Sequence, residues 1–182
     1  MSKVYVFMAD GTEEVEALTV IDLLRRAAVD VVTVSVMEKK QIVSSHKIKI
    51  EADEMYGESD YMDGDMIVLP GGMPGTTHLK KHEKLRANLF AYKEAGKYLA
   101  AICAAPSILG WNGMLEGKKA ICYPGFEEEL KGAVVTNQGV VTDGQFVTSK
   151  GLGTAIDFAL ELITLLVNKE TAENIAKSVQ YQ

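Results

Sequence analysis

Short, uninterrupted apolar runs alternate along this chain with segments of helical periodicity, and this alternation constrains the fold more than any other feature. The main runs are KVYVFMA (3–9), VDVVTVSVM (29–37), DMIVLPGG (65–72) and KYLAAIC (97–103). Such a run is typical of a strand buried on both faces, as in a parallel sheet. Strands that alternate with helices predict an α/β sandwich, in which helices cover both faces of a mainly parallel sheet.

The segments between these runs predict helices and lesser strands. The helical patterns are TEEVEALTVIDLLRRAA (12–28), residues 79–95, a short helix beginning in APSILGWNG (105–113), GTAIDFALELITLLVNK (153–169) and ETAENIAKSVQ (170–180). QIVSSHKIKIEAD (41–53) alternates apolar and polar residues and predicts a strand or hairpin with one solvated face. KKAICYP (118–124) predicts a further strand, and residues 132–149 predict short strands and turns.

Length, charge and cysteine content exclude several classes of protein. A chain of 182 residues predicts one domain over 1–182 with its own core. The net charge of −6 and the lack of a dense basic block argue against nucleic acid as the main partner. No apolar stretch reaches the length of a membrane span. Two cysteines without a secretory leader predict a reducing, cytoplasmic location and no structural disulfide.

Cys103 follows a predicted strand and precedes a predicted helix. Active sites of such sheets lie at the carboxyl ends of the strands, where we expect the turns at 10–11, 70–72 and 103–105 to meet. A free cysteine is often a small core residue. A thiol beside the N–H groups of a helix start is instead favoured as a thiolate and becomes a nucleophile. The local pattern leaves both interpretations open.

Glu16 is the second candidate. At 100° per residue, it heads the apolar row of Val20, Leu23 and Ala27, so its carboxylate faces the core side of the first helix. Burial raises the pKa of a carboxyl, which can then donate a hydrogen bond to a nearby thiolate. Glu13 and Glu14 are interpreted as ordinary first-turn acids that favour the helix dipole.

Four ordered blocks carry a family resemblance: ADGTEEVEALTVIDLLRRA, VLPGG, AAICAAPSIL and TSKGLGTAIDFAL. In this order and spacing, the chain resembles the ThiJ/PfpI superfamily, and within it the DJ-one branch and its bacterial relatives. The resemblance runs over nearly the whole chain. It implies a flavodoxin-like three-layer sandwich with a cysteine nucleophile elbow, commonly a homodimer.

The resemblance also implies roles for individual residues. Cys103 corresponds to the elbow nucleophile, and Glu16 to the glutamate that hydrogen-bonds it. Gly71 and Gly72 correspond to the turn beside the cysteine, where the N–H groups of Gly72 and Ala104 bind an oxyanion. Arg26 corresponds to an arginine on the first helix of family members, where it lies near the dimer interface.

The function implied is a cysteine-dependent glyoxalase or deglycase. Its substrates are methylglyoxal-type α-oxoaldehydes or their early adducts, with Cys103 as the nucleophile, Glu16 as the proton shuttle and no cofactor. One alternative is an oxidative-stress sensor or chaperone that acts through a Cys103 sulfinate. Another is a cysteine peptidase or amidase, as in other branches of the superfamily.

Three positions depart from the family pattern. Many members carry a histidine where this chain has Tyr123, which could contact substrate but is a poor base because a phenol has a pKa near 10. The absent histidine weakens the peptidase interpretation. The GPGT turn of the family reads GLGT at 151–154, and His46 stands where the DJ-one branch has an arginine.

The remaining candidate residues are interpreted as structural rather than catalytic. His78 and His82 have a metal-ligand spacing, but the segment is polar and indicates a solvated face, so no metal site is expected. Cys122 is expected in the core, with a lesser role as a resolving thiol left open, and PGGMPG (70–75) lacks the residues of a nucleotide-binding loop. The first helix carries more apolar surface than one sheet can cover, which predicts a homodimer through that helix. Its apolar residues are Ala17, Leu18, Val20, Ile21, Leu23 and Leu24.

Overall fold

A seven-stranded sheet forms the centre of the molecule, described here by a computed structural model of residues 1–181. The strands of the chain are β1 (Lys3–Met8), β2 (Asp30–Ser35), β3 (Gln41–Val43), β4 (Lys49–Glu51), β5 (Glu54–Met55), β6 (Met66–Leu69), β7 (Tyr98–Ile102), β8 (Lys119–Ala120), β9 (Val134–Val135), β10 (Val140–Asp143) and β11 (Phe146–Ser149). The central order is β10-β11-β7-β6-β1-β2-β5, parallel except for β10. The predicted hairpin is present as the antiparallel pair β3 and β4.

Helices cover both faces of this sheet. They are α1 (Glu14–Arg26), α2 (Gly75–Lys81), α3 (Glu83–Glu94), α4 (Pro106–Trp111), α5 (Ala155–Leu166) and α6 (Lys169–Ser178). Alternate residues of β1 enter the two cores: Val4 and Val6 pack with α1 and α5, whereas Tyr5 and Phe7 pack with α3 and α4. Two-sided burial explains why this strand is a continuous apolar run, and the three layers confirm the predicted sandwich.

The predicted helix over residues 79–95 is instead two helices that meet at His82. The Nδ1 atom of His82 accepts a hydrogen bond of 3.0 Å from the N–H of Leu85 and so caps α3. The His82 ring also packs on Tyr56, with 4.3 Å between ring centroids. His78 and His82 therefore do not share one helix face, and the prediction of a single helix was wrong because a capping side chain replaced a backbone hydrogen bond.

The surplus apolar surface expected on α1 is largely covered within the chain. The helix packs against both the sheet and α5, and of the six apolar residues named above, Leu18 alone is exposed. Val15 is exposed beside it. The premise that a broad apolar face would remain solvated was therefore wrong, and the patch of Val15 and Leu18 is much smaller than predicted.

Candidate active site

Cys103 lies in a strained turn directly after β7. Its φ angle is 65°, a left-handed conformation that is uncommon for a residue with a side chain. Two hydrogen bonds hold the turn: the Cys103 N–H donates to the Ser149 carbonyl at 2.9 Å, and its carbonyl accepts from the Tyr123 N–H at 2.8 Å. The side chain is half-buried, so this sharp elbow presents the thiol at the carboxyl edge of the sheet.

Glu16 reaches the same edge from α1 on the other side of a glycine turn. Its side chain is buried, as the helix projection predicted, and its Oε2 atom accepts a 3.0 Å hydrogen bond from the Gly71 N–H. A Cβ atom on Gly71 would lie 2.6 Å from both the Cβ of Cys103 and Oε2 of Glu16. A side chain at position 71 would therefore separate the two groups, which explains why glycine is required there.

The protonation of Glu16 and Cys103 is linked. Burial raises the pKa of Glu16 to about 7, against the effect of hydrogen bonds from Cys103 and Gly71. Burial also raises the pKa of Cys103 to about 12, and the charge of Glu16 adds to the rise. Two acids in such close contact do not ionise together, so the pair holds at most one negative charge at neutral pH.

Gly72 and Ala104 place backbone donors at the thiol. Their N–H groups lie near the Cys103 sulfur and act to lower the pKa of the thiol, although burial outweighs them. Gly72 has a φ angle of 89°, a backbone conformation that favours glycine. The helix that follows Cys103, α4, has only 6 residues, so local N–H groups rather than a long helix dipole stabilise negative charge here. The N–H groups of Gly72 and Ala104 could bind an oxyanion formed beside the sulfur.

Tyr123 lies beside the elbow, where it borders a cleft. The cleft has a volume of about 310 Å³ and lies between Tyr123 and the turn at 150–154. Sequence reasoning placed Tyr123 near the cysteine but missed the second wall, in which the backbone N–H of Leu152 lies near Glu16 and acts to lower the pKa of its carboxyl. The departure to GLGT at 151–154 was the available signal, because a proline at that position has no N–H.

Glu13 and Glu14 lie at the start of α1, as the sequence predicted, but both are also buried. The loop between β3 and β4 covers them: the Ser45 hydroxyl hydrogen-bonds both carboxylates, and His46 Nδ1 lies 2.9 Å from Glu14 Oε1. Burial acts to raise the pKa of Glu14, but donors from this loop and from the helix start outweigh it and hold the pKa at about 2. Glu13, Glu14 and His46 could accept a cation by donor type and proximity.

A larger groove lies elsewhere on the molecule. It has a volume of about 690 Å³ and is bordered by Asp10, Met37, Lys39 and His82, among others. An ion pair of 3.2 Å between Lys39 and Asp10 lies at its edge, and no cysteine is among its lining residues. The larger groove therefore lacks a thiol nucleophile. We place the candidate active site at Cys103 because of its chemistry, although the cleft there is smaller. Cys122 is buried in the core, as predicted.

The fold and this site together define a class: flavodoxin-like α/β proteins with a cysteine at a strained elbow and a buried glutamate beside it. The chain belongs to the DJ-1/PfpI family, whose profile matches residues 2–165. The structure of oxidized Toxoplasma gondii DJ-1 superimposes with a TM-score of 0.96 at 38% identity, covering 100% of this chain and 99% of that one.

Two curated relatives illustrate the range of the family. Protein DJ-1 homolog B of Arabidopsis thaliana is 40% identical over 176 residues, which cover 96% of this chain and 40% of that protein, so the chain spans about two fifths of its length. The glutathione-independent glyoxalase DJ-1 of Schizosaccharomyces pombe is 29% identical over 189 residues and covers 98% of each chain. No helix within residues 1–181 is long and apolar enough to span a membrane.

Proposed function

We propose that this protein is a cysteine-dependent glyoxalase that converts α-oxoaldehydes such as methylglyoxal to α-hydroxy acids without glutathione. The observation that carries the proposal is the contact between Glu16 and Cys103 across Gly71, which joins a nucleophile to an acid with a pKa of about 7. An acid that titrates near neutrality can both give and take a proton during turnover. The Schizosaccharomyces pombe relative is named for this activity.

The first step is attack by sulfur on the aldehyde carbon. The Cys103 proton passes to Glu16, a carbon–sulfur bond forms, and the aldehyde π electrons move to oxygen. The N–H groups of Gly72 and Ala104, which act to lower the pKa of the thiol, would stabilise that oxyanion. Glu16 then protonates the oxygen, which gives a hemithioacetal and leaves Glu16 as a carboxylate.

The second step is isomerisation. The Glu16 carboxylate removes the proton from the carbon bonded to sulfur, which gives an enediol, and returns a proton to the neighbouring carbon. The hydroxyl proton of the hemithioacetal passes to the former ketone oxygen as the carbon–oxygen double bond forms next to sulfur, which gives a thioester of the hydroxy acid. Water then cleaves the thioester, releases the acid and restores the Cys103 thiol. One substrate carbon is oxidised while the other is reduced, so water is the only co-reactant that this route consumes.

The same attack extends to early adducts of these aldehydes. In a hemiaminal, Cys103 forms its bond to the former aldehyde carbon while the carbon–nitrogen bond breaks, and Glu16 supplies a proton to the departing amine. The resulting hemithioacetal is the one described above. The release of amines from adducts and the conversion of free oxoaldehyde therefore proceed through the same hemithioacetal on Cys103.

The direct test is formation of lactate from methylglyoxal by the wild-type chain, Cys103→Ser and Glu16→Gln. We expect lactate from wild type and a loss of at least roughly a hundredfold in both variants, because each removes a group that acts in the transition state. Cys122→Ala is the control, since this thiol is buried in the core. Wild-type formation of lactate no faster than in Cys103→Ser would exclude the proposal.

A second candidate is a peroxide sensor, favoured by the oxidized state of the Toxoplasma gondii structure. Two molecules of peroxide convert the Cys103 thiol to a sulfinic acid and yield two of water, and protonated Glu16 could donate a hydrogen bond to the sulfinate. Oxidation would then alter contacts with partner or client proteins. Selective sulfinate formation without turnover of oxoaldehyde distinguishes this candidate.

The peptidase or amidase alternative has less support. His46 pairs with Glu14, His82 caps α3, and Tyr123 occupies the position beside the elbow. A phenol there does not replace the general base of a cysteine–histidine hydrolase. Release of amines from peptides is the observation that would revive it.

A further inference from the structure

The cleft beside Tyr123 lies next to the thiol, because Gly151 lines the cleft and also lies beside Cys103. An ideal Cβ on Gly151 would lie 3.3 Å from Cδ2 of Tyr123 and 4.0 Å from Sγ of Cys103. The point above this glycine is therefore close to both the nucleophile and the aromatic ring. A group attached to a carbon that is bonded to Sγ is close enough to reach this space.

The walls of the cleft are apolar and unusually exposed. Tyr123 is 51% exposed and Leu152 is 50% exposed, although both are large apolar side chains. Both line a cleft with a volume of about 310 Å³, together with Pro124. Lys150 is the one charged residue among the described residues that line the cleft. Apolar walls favour a substituent that gains by leaving water.

We propose that this cleft binds the substituent on the ketone carbon of the oxoaldehyde, and that Tyr123 and Leu152 select aromatic and branched apolar substituents over methyl. The inference rests on the proposed glyoxalase function and adds its substrate class. A methyl group fills little of the cleft and leaves both walls in water. An aromatic ring contacts Tyr123 by stacking and Leu152 by dispersion, which are interactions that a methyl group cannot match.

The test compares kcat/KM for phenylglyoxal, measured as mandelate, with kcat/KM for methylglyoxal, measured as lactate. The ratio of the two cancels effects common to both substrates. We expect the ratio to fall by about tenfold in Tyr123→Ala and in Leu152→Ala, because each removes one apolar wall. Trp111→Ala is the matched control: Trp111 is 51% exposed but lies on α4, packed beside Lys80 and Lys131.

Tyr123→Phe distinguishes the contribution of the aromatic ring from that of the hydroxyl group. If the ring selects the substrate, this variant keeps the wild-type ratio. If the hydroxyl instead donates a proton, kcat falls for both substrates and the ratio of Tyr123→Ala stays close to wild type. Unchanged ratios in both Tyr123→Ala and Leu152→Ala, in an enzyme that turns over both substrates, would overturn the inference and leave the glyoxalase function intact.

A readout without turnover separates the two proposals. Alkylation of Cys103 by 2-iodo-N-phenylacetamide forms the carbon–sulfur bond and releases iodide, as does alkylation by iodoacetamide. The rate ratio of these two reagents reports whether the cleft receives an aromatic group. If wild type turns over no oxoaldehyde, the glyoxalase proposal fails. A preference for the aromatic reagent that falls about tenfold in Tyr123→Ala still supports the cleft, whereas equal ratios overturn it.

Discussion

Glu16 and Cys103 meet across Gly71, with a carboxylate oxygen of one and the Cβ of the other each 2.6 Å from the point that a Cβ on the glycine would occupy. Three segments far apart in sequence thus converge at one edge of the sheet. Their contact depends on a missing side chain, which makes Gly71 a sensitive position for both stability and chemistry.

Gly71→Ala is expected to lower kcat/KM for oxoaldehydes by on the order of a hundredfold, because Glu16 and Cys103 must move apart. Overpacking of a buried site lowers the free energy of unfolding by about 1–3 kcal/mol. Steady-state kinetics and urea unfolding measure the two effects. Gly96→Ala is the control: its φ of 69° strains an alanine, but an added Cβ meets no atom within 4 Å. If both variants lose equal activity, the effect is only destabilisation.

The pH dependence of stability reports on Glu16. Its pKa rises from 4.5 to about 7 on folding, so the native chain binds the additional proton between these values. The contribution is fully present below pH 4.5 and is lost as pH rises through 7, a change of roughly 3 kcal/mol in the free energy of unfolding.

Glu16→Gln cannot lose this proton, so the variant gains stability relative to wild type as pH rises from 5 to 8. Chemical unfolding of both proteins at several pH values in this range measures the difference. Ser178→Ala is a control that retains Glu16, since the exposed Ser178 hydroxyl donates to the Ile175 carbonyl of α6. Parallel stability curves for wild type and Glu16→Gln would show that the carboxyl is not held protonated by burial.

The two cysteines are expected to differ in their rate of oxidation by peroxide. Cys103 is half-buried at the edge of the sheet, whereas Cys122 is buried in the core. At low peroxide, mass spectrometry of digested protein is expected to show sulfinate at Cys103 at least roughly tenfold faster than at Cys122, because reaction requires access. Comparable oxidation of Cys122 in the folded chain would contradict the burial that the structure shows. Denatured protein, in which the two thiols react alike, provides the reference.

Self-association through α1 is the last prediction. Leu18 is 42% exposed next to Val15, and we propose that this small patch is covered by the same patch of a second copy in a homodimer. Leu18→Glu would place a charge in that interface and weaken dimerisation by roughly a hundredfold or more, measured by sedimentation equilibrium. Val135→Glu is the matched control for Leu18→Glu, since Val135 is 41% exposed but lies on β9 rather than on α1. A monomeric wild type, or equal effects of the two variants, would exclude this interface.

Several features of the site were accessible from the sequence. The apolar row headed by Glu16 follows from helical geometry alone, and the helix in the structure does bury that carboxylate. Cys103 was identifiable because an apolar run stops there and Pro106 begins a helix, although the strain of its backbone was not.

The features that were missed all depend on contacts between distant segments. Glu13 and Glu14 are buried because the β3–β4 loop covers them with Ser45 and His46, about 30 residues further along the chain. The wall formed by Leu152 exists only because the turn after β11 lies beside Tyr123.

The sequence by itself determined the layers of this protein and the positions of its strands, because burial on two faces requires continuous apolar runs and helices show their buried side by periodicity. It also determined which residue types could react. Tertiary structure alone decided how they react. The pKa values of Glu16 and Cys103 depend on burial and on their contact across Gly71, and the cleft depends on two turns that meet at the sheet edge. Those quantities arise from distances in space, which local patterns do not encode.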